Sequence, residues 1–285
     1  MVNAATTRRF VGVAGLPRSG STLLCQLLAE HPHIYSDGHS SPLCSVLLRL
    51  RHGISDDDFF LSQLDANFER TYAHLAAATR AFVSHWYHDC EQPLVIDKNR
   101  GWLRNIDYLL HIDPVARLLF CVRELGQVYG SVEAQHQRTL LIDFADHSAA
   151  QDRYGRADVL FGKDGVIGNP LRAIEAIQDL PLAVQQRLRL VKFERLMQDP
   201  RREMADIVEW LGLPSHAIDP DQLRVRAHES DSHYRHKFPH RQHGRVEAPA
   251  LHTIPTRIQG EIERTYAWYY DHIFPDWKRL PPPAT

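Results

Sequence analysis

The run Arg9-Phe10-Val11-Gly12-Val13-Ala14-Gly15-Leu16-Pro17-Arg18-Ser19-Gly20-Ser21-Thr22-Leu23-Leu24 decides how the rest of the chain is read. Its first part, Arg9 to Gly15, is short, apolar and closed by glycine, the pattern of a buried strand. From Ser21 to Ala29 the apolar residues Leu23, Leu24, Leu27 and Leu28 fall on one helical stripe instead. Between strand and helix stand Gly15 and Gly20, with the spacing of the phosphate-loop pattern G-x-x-x-x-G-K-[ST]. Such a loop curls its backbone N–H groups around a phosphate at a helix N-terminus, where the helix dipole also favours an anion. The lysine of the pattern is missing: Ser21 takes its place, and the positive charge of the loop sits on Arg18. In kinases and ATPases that lysine reaches the β- and γ-phosphates, with the next hydroxyl on magnesium. A loop without it is poorly built for ATP hydrolysis.

Outward from this loop, Pro32 closes the first helix and a serine-, glycine- and histidine-rich loop runs from His33 to Pro42. Residues 43–52 and 56–88 read as helical, the second opening with Ser55-Asp56-Asp57-Asp58 as cap and acidic first turn. Pro93 to Asp97 and Ala116 to Val122 are two further buried strands, with helical segments over 101–111 and 125–138. Leu188 to Phe193 is a fourth strand, 200–211 a helix ended by Gly212 and Pro214, and Thr256 to Tyr270 an amphipathic tail. Strands alternating with helices predict an α/β fold: one domain over residues 1–285, with a mostly parallel central sheet flanked by helices. The basic, proline-containing run from His228 to Arg245 is the one long irregular stretch. We expect residues 228–248 to cover the nucleotide or substrate, because long loops in compact domains tend to be functional.

Composition narrows the partners. The 285 residues carry 33 Lys and Arg against 35 Asp and Glu, a net charge of -2. No overall basic field draws in nucleic acid or an anionic membrane, so an anion must be held locally. The apolar stretch from Phe10 to Leu16 is too short for a signal-peptide core or a bilayer span. Cys25, Cys44, Cys90 and Cys121 have no metal or redox spacing, and a reducing cytoplasm is the expected compartment. Histidine is frequent: His85 and His88 stand three apart, and His233, His236, His240 and His243 crowd one segment. None is joined by a cysteine or carboxylate at zinc spacing, so no metal is expected.

Pro17-Arg18-Ser19-Gly20-Ser21-Thr22 resembles the 5′-phosphosulfate loop of the sulfotransferase superfamily, P-[KR]-[ST]-G-[ST]-[ST]. Arg123, closing the strand Leu118 to Val122, and Ser131, eight residues later in the next helix, resemble the family's 3′-phosphate site. A guanidinium fork and a hydroxyl suit a monoester phosphate there. Leu190-Val191-Lys192-Phe193-Glu194-Arg195-Leu196, with Trp210-Leu211-Gly212, resembles the family's third strand-then-helix segment, whose role is structural. These matches span about residues 9–214 and leave the acceptor-binding parts unmatched.

The resemblance implies a P-loop fold that binds 3′-phosphoadenosine 5′-phosphosulfate (PAPS), releases adenosine 3′,5′-bisphosphate (PAP) and sulfates a hydroxyl or amine. The acceptor class stays open among small molecules, glycans and lipids. The resemblance assigns Pro17, Arg18, Ser19, Gly20, Ser21, Thr22, Arg123 and Ser131 to the nucleotide; the family's C-terminal Arg-Lys-Gly signature is absent, and Arg235 and Lys237 of the irregular run are further 3′-phosphate candidates. Arg18 and Lys98 are the cations expected to act on the leaving phosphate, Lys98 matching the lysine of the family's Lys-Thr-His. The histidine of that motif is replaced by Arg100, which leaves the general base to another residue. Other branches of the superfamily place a glutamate in the loop after the first helix. His39 stands near that place and is the expected base, with His33 and Asp37 as alternatives. Phe59, Phe60, Phe82, Trp86 and Tyr87 can line an acceptor pocket or simply be core. Two other functions stay open: a P-loop phosphotransferase or ATPase, and a non-catalytic protein that binds the adenosine bisphosphate.

Overall fold

The computed structural model describes residues 8–139, 151–225, 229–230, 239–240 and 243–278. Strand β1 (Arg9–Gly15) leads through the glycine loop to α1 (Ser21–Leu28), then β2 (Ile34–Tyr35), α2 (Leu43–Ser55), α3 (Asp58–Ala66) and α4 (Phe68–Trp86). Next come β3 (Leu94–Lys98), α5 (Gly101–Arg104), α6 (Ile106–Ile112), β4 (Arg117–Val122) and α7 (Leu125–Thr139). Helices α8 (Arg153–Phe161), α9 (Gly168–Glu175) and α10 (Leu182–Gln185) precede β5 (Leu188–Lys192), α11 (Phe193–Gln198) and α12 (Pro200–Trp210). A two-residue ladder, β6 (Glu229–Ser230) against β7 (Pro239–His240), and helices α13 (Thr256–Thr265) and α14 (Ala267–His272) complete the described chain.

The sheet has the order β2-β3-β1-β4-β5, and every neighbouring pair is parallel. Helices cover both of its faces, which is why β1, β3 and β4 are near-continuous apolar runs rather than alternating ones. One face buries Phe10, Leu43, Leu47, Trp102 and Tyr129; the other buries Val11, Val13, Leu24, Leu27 and Ile207. From β1 the chain turns toward β2 on one side, whereas from β4 it turns toward β5 on the other. The crevice at the strand ends between β1 and β4 is therefore the switch point where open α/β sheets bind ligands. Gly15 makes the close approach there possible. At φ 125° a Cβ would overlap the Cys121 carbonyl of β4, which instead accepts the Leu16 N–H at 2.9 Å.

The differences from the sequence expectation are local. The loop over 33–42 contains β2, which pairs with β3 through Ile34 and Tyr35. The helix expected over 56–88 is two helices, broken at Asn67, whose side chain accepts the Arg70 N–H at 3.2 Å and so caps α4. Asp57 caps α3 as expected, accepting from Phe60 at 2.7 Å. Tyr266 likewise splits the amphipathic tail into α13 and α14. Among the aromatic acceptor-pocket candidates Tyr87 is buried, whereas Phe59 is 82% exposed and Phe82 and Trp86 are partly exposed. All four cysteines are buried and unbridged.

Candidate active site

The loop from Leu16 to Gly20 is held open by its own sequence. Ser19 donates its hydroxyl to the Leu16 carbonyl at 2.6 Å and the Cys121 carbonyl at 3.1 Å, locking the turn against β4. Gly20, at φ 87°, has no room for a side chain, since a Cβ would meet the Phe193 ring at 2.6 Å. Arg18 adopts φ 58° and is the one non-glycine residue with positive φ among those described. Left-handed backbone of this kind is how successive N–H groups come to face one anion. The first turn of α1 follows directly, so its free N–H groups and dipole add to the cradle.

Beyond the loop lies a cavity of about 490 Å³. Arg18, Gly20, Ser21 and Thr22 line it from the loop, Lys98, Asn99 and Arg100 from the end of β3, and Arg123 and Ser131 from β4 and α7. Arg18 Nε donates to Ser131 Oγ at 3.0 Å, and Arg123 Nη1 donates to the Arg18 carbonyl at 3.2 Å. Two guanidinium groups thus meet at one rim. Arg123 is 5% exposed and lies 4.6 Å over the Phe193 ring. Burial holds its guanidinium below the usual arginine range; Glu194 opposes that shift and Arg18 adds to it. Burial also raises the Glu194 carboxyl beside it. Two guanidinium groups at one rim of a cavity, one of them buried, suit an anion.

Lys98 approaches from the other side. Its ammonium donates to Thr22 Oγ1 at 2.9 Å and to the Gly38 carbonyl at 3.3 Å, tying the end of β3 to the loop. The backbone beside it is bridged to Ser40, and the Ser41 N–H donates to the Lys98 carbonyl at 2.8 Å. Asp97, fully buried behind Lys98, accepts from Tyr87 and Trp102 at 2.5 Å each.

The residues singled out in the sequence mostly converge. Arg18, Gly20, Ser21, Thr22, Lys98, Arg123 and Ser131 all line the cavity. Pro17 and Ser19 shape the loop from behind. His39 is half-buried, and its N–H donates to Asp37 Oδ1 at 2.9 Å; its neighbour Ser40 lines the cavity and His39 does not. His33 and Asp37 are exposed. Arg235 and Lys237 lie outside the described residues, as does most of the expected covering loop.

His243, Arg245 and Glu247, in the last part of the run expected to cover the site, line the cavity, and so does His252, which the sequence reading did not single out. Gln26 of α1 donates to the His243 carbonyl at 2.8 Å. Gln127 of α7 donates to the His252 carbonyl at 3.0 Å and accepts the His252 N–H at 2.8 Å. No local pattern announces a coil clipped between two distant helices. Phe193, read as core, lines the cavity under Arg123. Among the described residues no group of three or more His, Cys, Asp or Glu side chains converges as a metal would require, and no helix is long and apolar enough to cross a membrane.

Comparison with known proteins gives the same direction. The sulfotransferase-family model matches residues 11–217. Over 204 residues, 71% of the chain, the sequence is 22% identical to a protein-tyrosine sulfotransferase of Drosophila melanogaster, a stretch that spans 38% of that relative. The sulfotransferase domain of the Synechococcus PCC 7002 olefin synthase superposes with a TM-score of 0.45 and 19% identity, over 73% of this chain and 74% of that one. A sulfotransferase from Alicyclobacillus acidocaldarius gives a TM-score of 0.46 and 14% identity, over 74% of this chain and 84% of that one. Both scores are below 0.5, so the weight falls on the family match.

Proposed function

The chain belongs to the sulfotransferase family, and we propose that it transfers the sulfuryl group of PAPS to a hydroxyl or amine of a small-molecule, glycan or lipid acceptor. The observation that carries this reading is the Arg18–Ser131 hydrogen bond of 3.0 Å. It joins a phosphate loop lacking the triphosphatase lysine to the arginine-and-serine pair of β4 and α7, across one cavity. A donor with phosphates at both its 5′ and 3′ positions fits two such anion sites; ATP has no second group for Arg123.

The residues present fit the donor. The crowded Gly20 and the left-handed Arg18 turn the loop N–H groups inward for the 5′-phosphate. Arg123 and Ser131 would hold the 3′-phosphate, and Phe193 fixes the plane of the Arg123 guanidinium. Bound there, the donor supplies an activated sulfuryl group and a bisphosphate leaving group. Lys98 and Arg18 stand on either side of the loop, where they stabilise charge developing on the leaving phosphate oxygen. His39 is the base of this reading: its neighbour Ser40 lines the cavity and is bridged to Lys98, and the His39 side chain has to turn in from beside it to take the acceptor proton. Four buried, unbridged cysteines suit a reducing cytoplasm.

Thermal unfolding with nucleotides tests the reading. PAP without magnesium should raise the melting temperature well above the effect of adenosine 5′-phosphate at equal concentration, because stabilisation follows affinity for the native state. Larger, magnesium-dependent stabilisation by ATP would replace it with a phosphotransferase.

A further inference from the structure

A second cavity, of about 360 Å³, lies between α2, α4 and α6 and shares no lining residue with the first. Its α6 side lies toward the opposite ends of the strands. Helix α6 ends at Ile112, and the next residue, Asp113, accepts the Phe10 N–H at 3.3 Å near the start of β1, whereas the phosphate loop follows the end of β1. The volume falls in the range of small-molecule pockets, roughly 300–1,000 Å³.

Its walls are apolar: Leu47, Leu50 and Ile54 from α2, Leu75 and Phe82 from α4. Leu50 is 45% exposed and Phe82 36%, so the cavity opens to solvent. Arg51 and Asp107 are its charged groups, beside the hydroxyls of Tyr72, Thr79 and Tyr108 and the His111 ring. Arg51 lines the cavity with its guanidinium 5.1 Å over the Tyr108 ring. His111 meets the Tyr72 hydroxyl at 2.9 Å. Burial holds the His111 imidazole below its usual range, and the charges of Arg80 and Arg51 lower it further. Apolar walls with the Arg51 guanidinium held against Tyr108 suit an apolar body with a negative head.

We infer that this cavity is a ligand site, separate from the sulfuryl-transfer site, for an apolar molecule carrying one anionic group: an aromatic or aliphatic carboxylate, sulfonate or sulfate. Arg51 takes the anionic head, while the α2 and α4 leucines and Phe82 take the body. The inference does not depend on the proposed sulfuryl transfer.

Isothermal titration with naphthalene-2-sulfonate and its uncharged isostere naphthalene-2-sulfonamide tests it. The expected result is one site per chain, with the sulfonate about tenfold tighter, the worth of one hydrogen bond to a charged group. Saturating PAP should leave that binding unchanged. Arg51→Gln should erase the preference for sulfonate over sulfonamide. Ala78→Trp, at an exposed lining position where a large side chain fills the cavity without disturbing the core, should abolish binding of both. Absence of binding, displacement by PAP, or undiminished binding in a folded Ala78→Trp protein would each overturn the inference. So would an unchanged sulfonate preference in Arg51→Gln.

Discussion

The ends of β3 and β4 face the same cavity but are built in opposite ways. At β3, Asp97 holds Tyr87 and Trp102, ten and five residues away, and Lys98 is tied to Thr22 and the Gly38 carbonyl, so these partners all come from the chain before β4. At β4 the partners come from far along the chain. The Arg123 carbonyl accepts from Tyr269 at 2.9 Å, and Glu124 accepts from Tyr270 at 2.6 Å and Gln259 at 3.0 Å. The Glu124 N–H in turn donates to Glu194 at 2.9 Å. Arg123 is thus positioned by the last helices of the chain, and Lys98 by residues that precede β4, Thr22 and Gly38 among them. On the proposed function the two frames also divide the work: the β3 side acts on the transferred group, and the β4 side on nucleotide affinity.

If that division is right, variants on the β3 side lower turnover and spare PAP binding. The largest effect should come from His39→Ala: loss of a general base costs about 10²–10⁴-fold in kcat, with PAP affinity intact and the acid limb of the pH–rate profile flattened. Near-normal turnover would move the role to His252 or Glu247, which line the cavity. Next is Lys98→Ala, where removing a cation from the developing charge should lower kcat by about 10²–10³-fold. An equal loss of PAP affinity would break the comparison, because Lys98 would then be one more nucleotide anchor. On the β4 side, Arg123→Ala should weaken PAP by about ten- to a hundredfold, given roughly 1.5–3 kcal/mol for a charge-assisted hydrogen bond. Adenosine 5′-phosphate should be nearly unaffected, and calorimetry separates the two ligands. The smallest effect belongs to Tyr270→Phe. It removes one donor from Glu124 and should weaken PAP less than tenfold while lowering the melting temperature, a hydrogen bond to a carboxylate contributing roughly 1.5–3 kcal/mol. A Tyr270→Phe protein with unchanged melting temperature would show that the distant frame does not hold Arg123.

The same contrast explains what could be read from the sequence. The glycine loop, β1, β3 and β4 were legible because a buried parallel strand and a phosphate turn each write a dense local pattern. Lys98 and Arg123 were legible because they stand at strand ends, and Ser131 only through the resemblance, which places a serine eight residues after that arginine. Strand β2 was hidden: two residues in a loop of serines and glycine carry no period. The clip of Gln127 on His252 and the hold of Tyr269 and Tyr270 on β4 were hidden for another reason. Both are contacts between residues over a hundred positions apart, and nothing near Gln127 or Glu124 names the partner.

Arg18 sets the loop apart from everything else described. Its left-handed backbone is unfavourable for a side chain with a Cβ by about 1–2 kcal/mol. Glycine would remove that strain and give back only about 0.5–1 kcal/mol through its greater freedom in the unfolded chain. Position 18 is therefore where two demands disagree. Strain argues for glycine there, whereas the guanidinium bonded to Ser131, worth roughly 1.5–3 kcal/mol as a charged donor, argues for arginine. Arg18→Ala, which keeps the strain and loses the bond, should melt below Arg18→Gly.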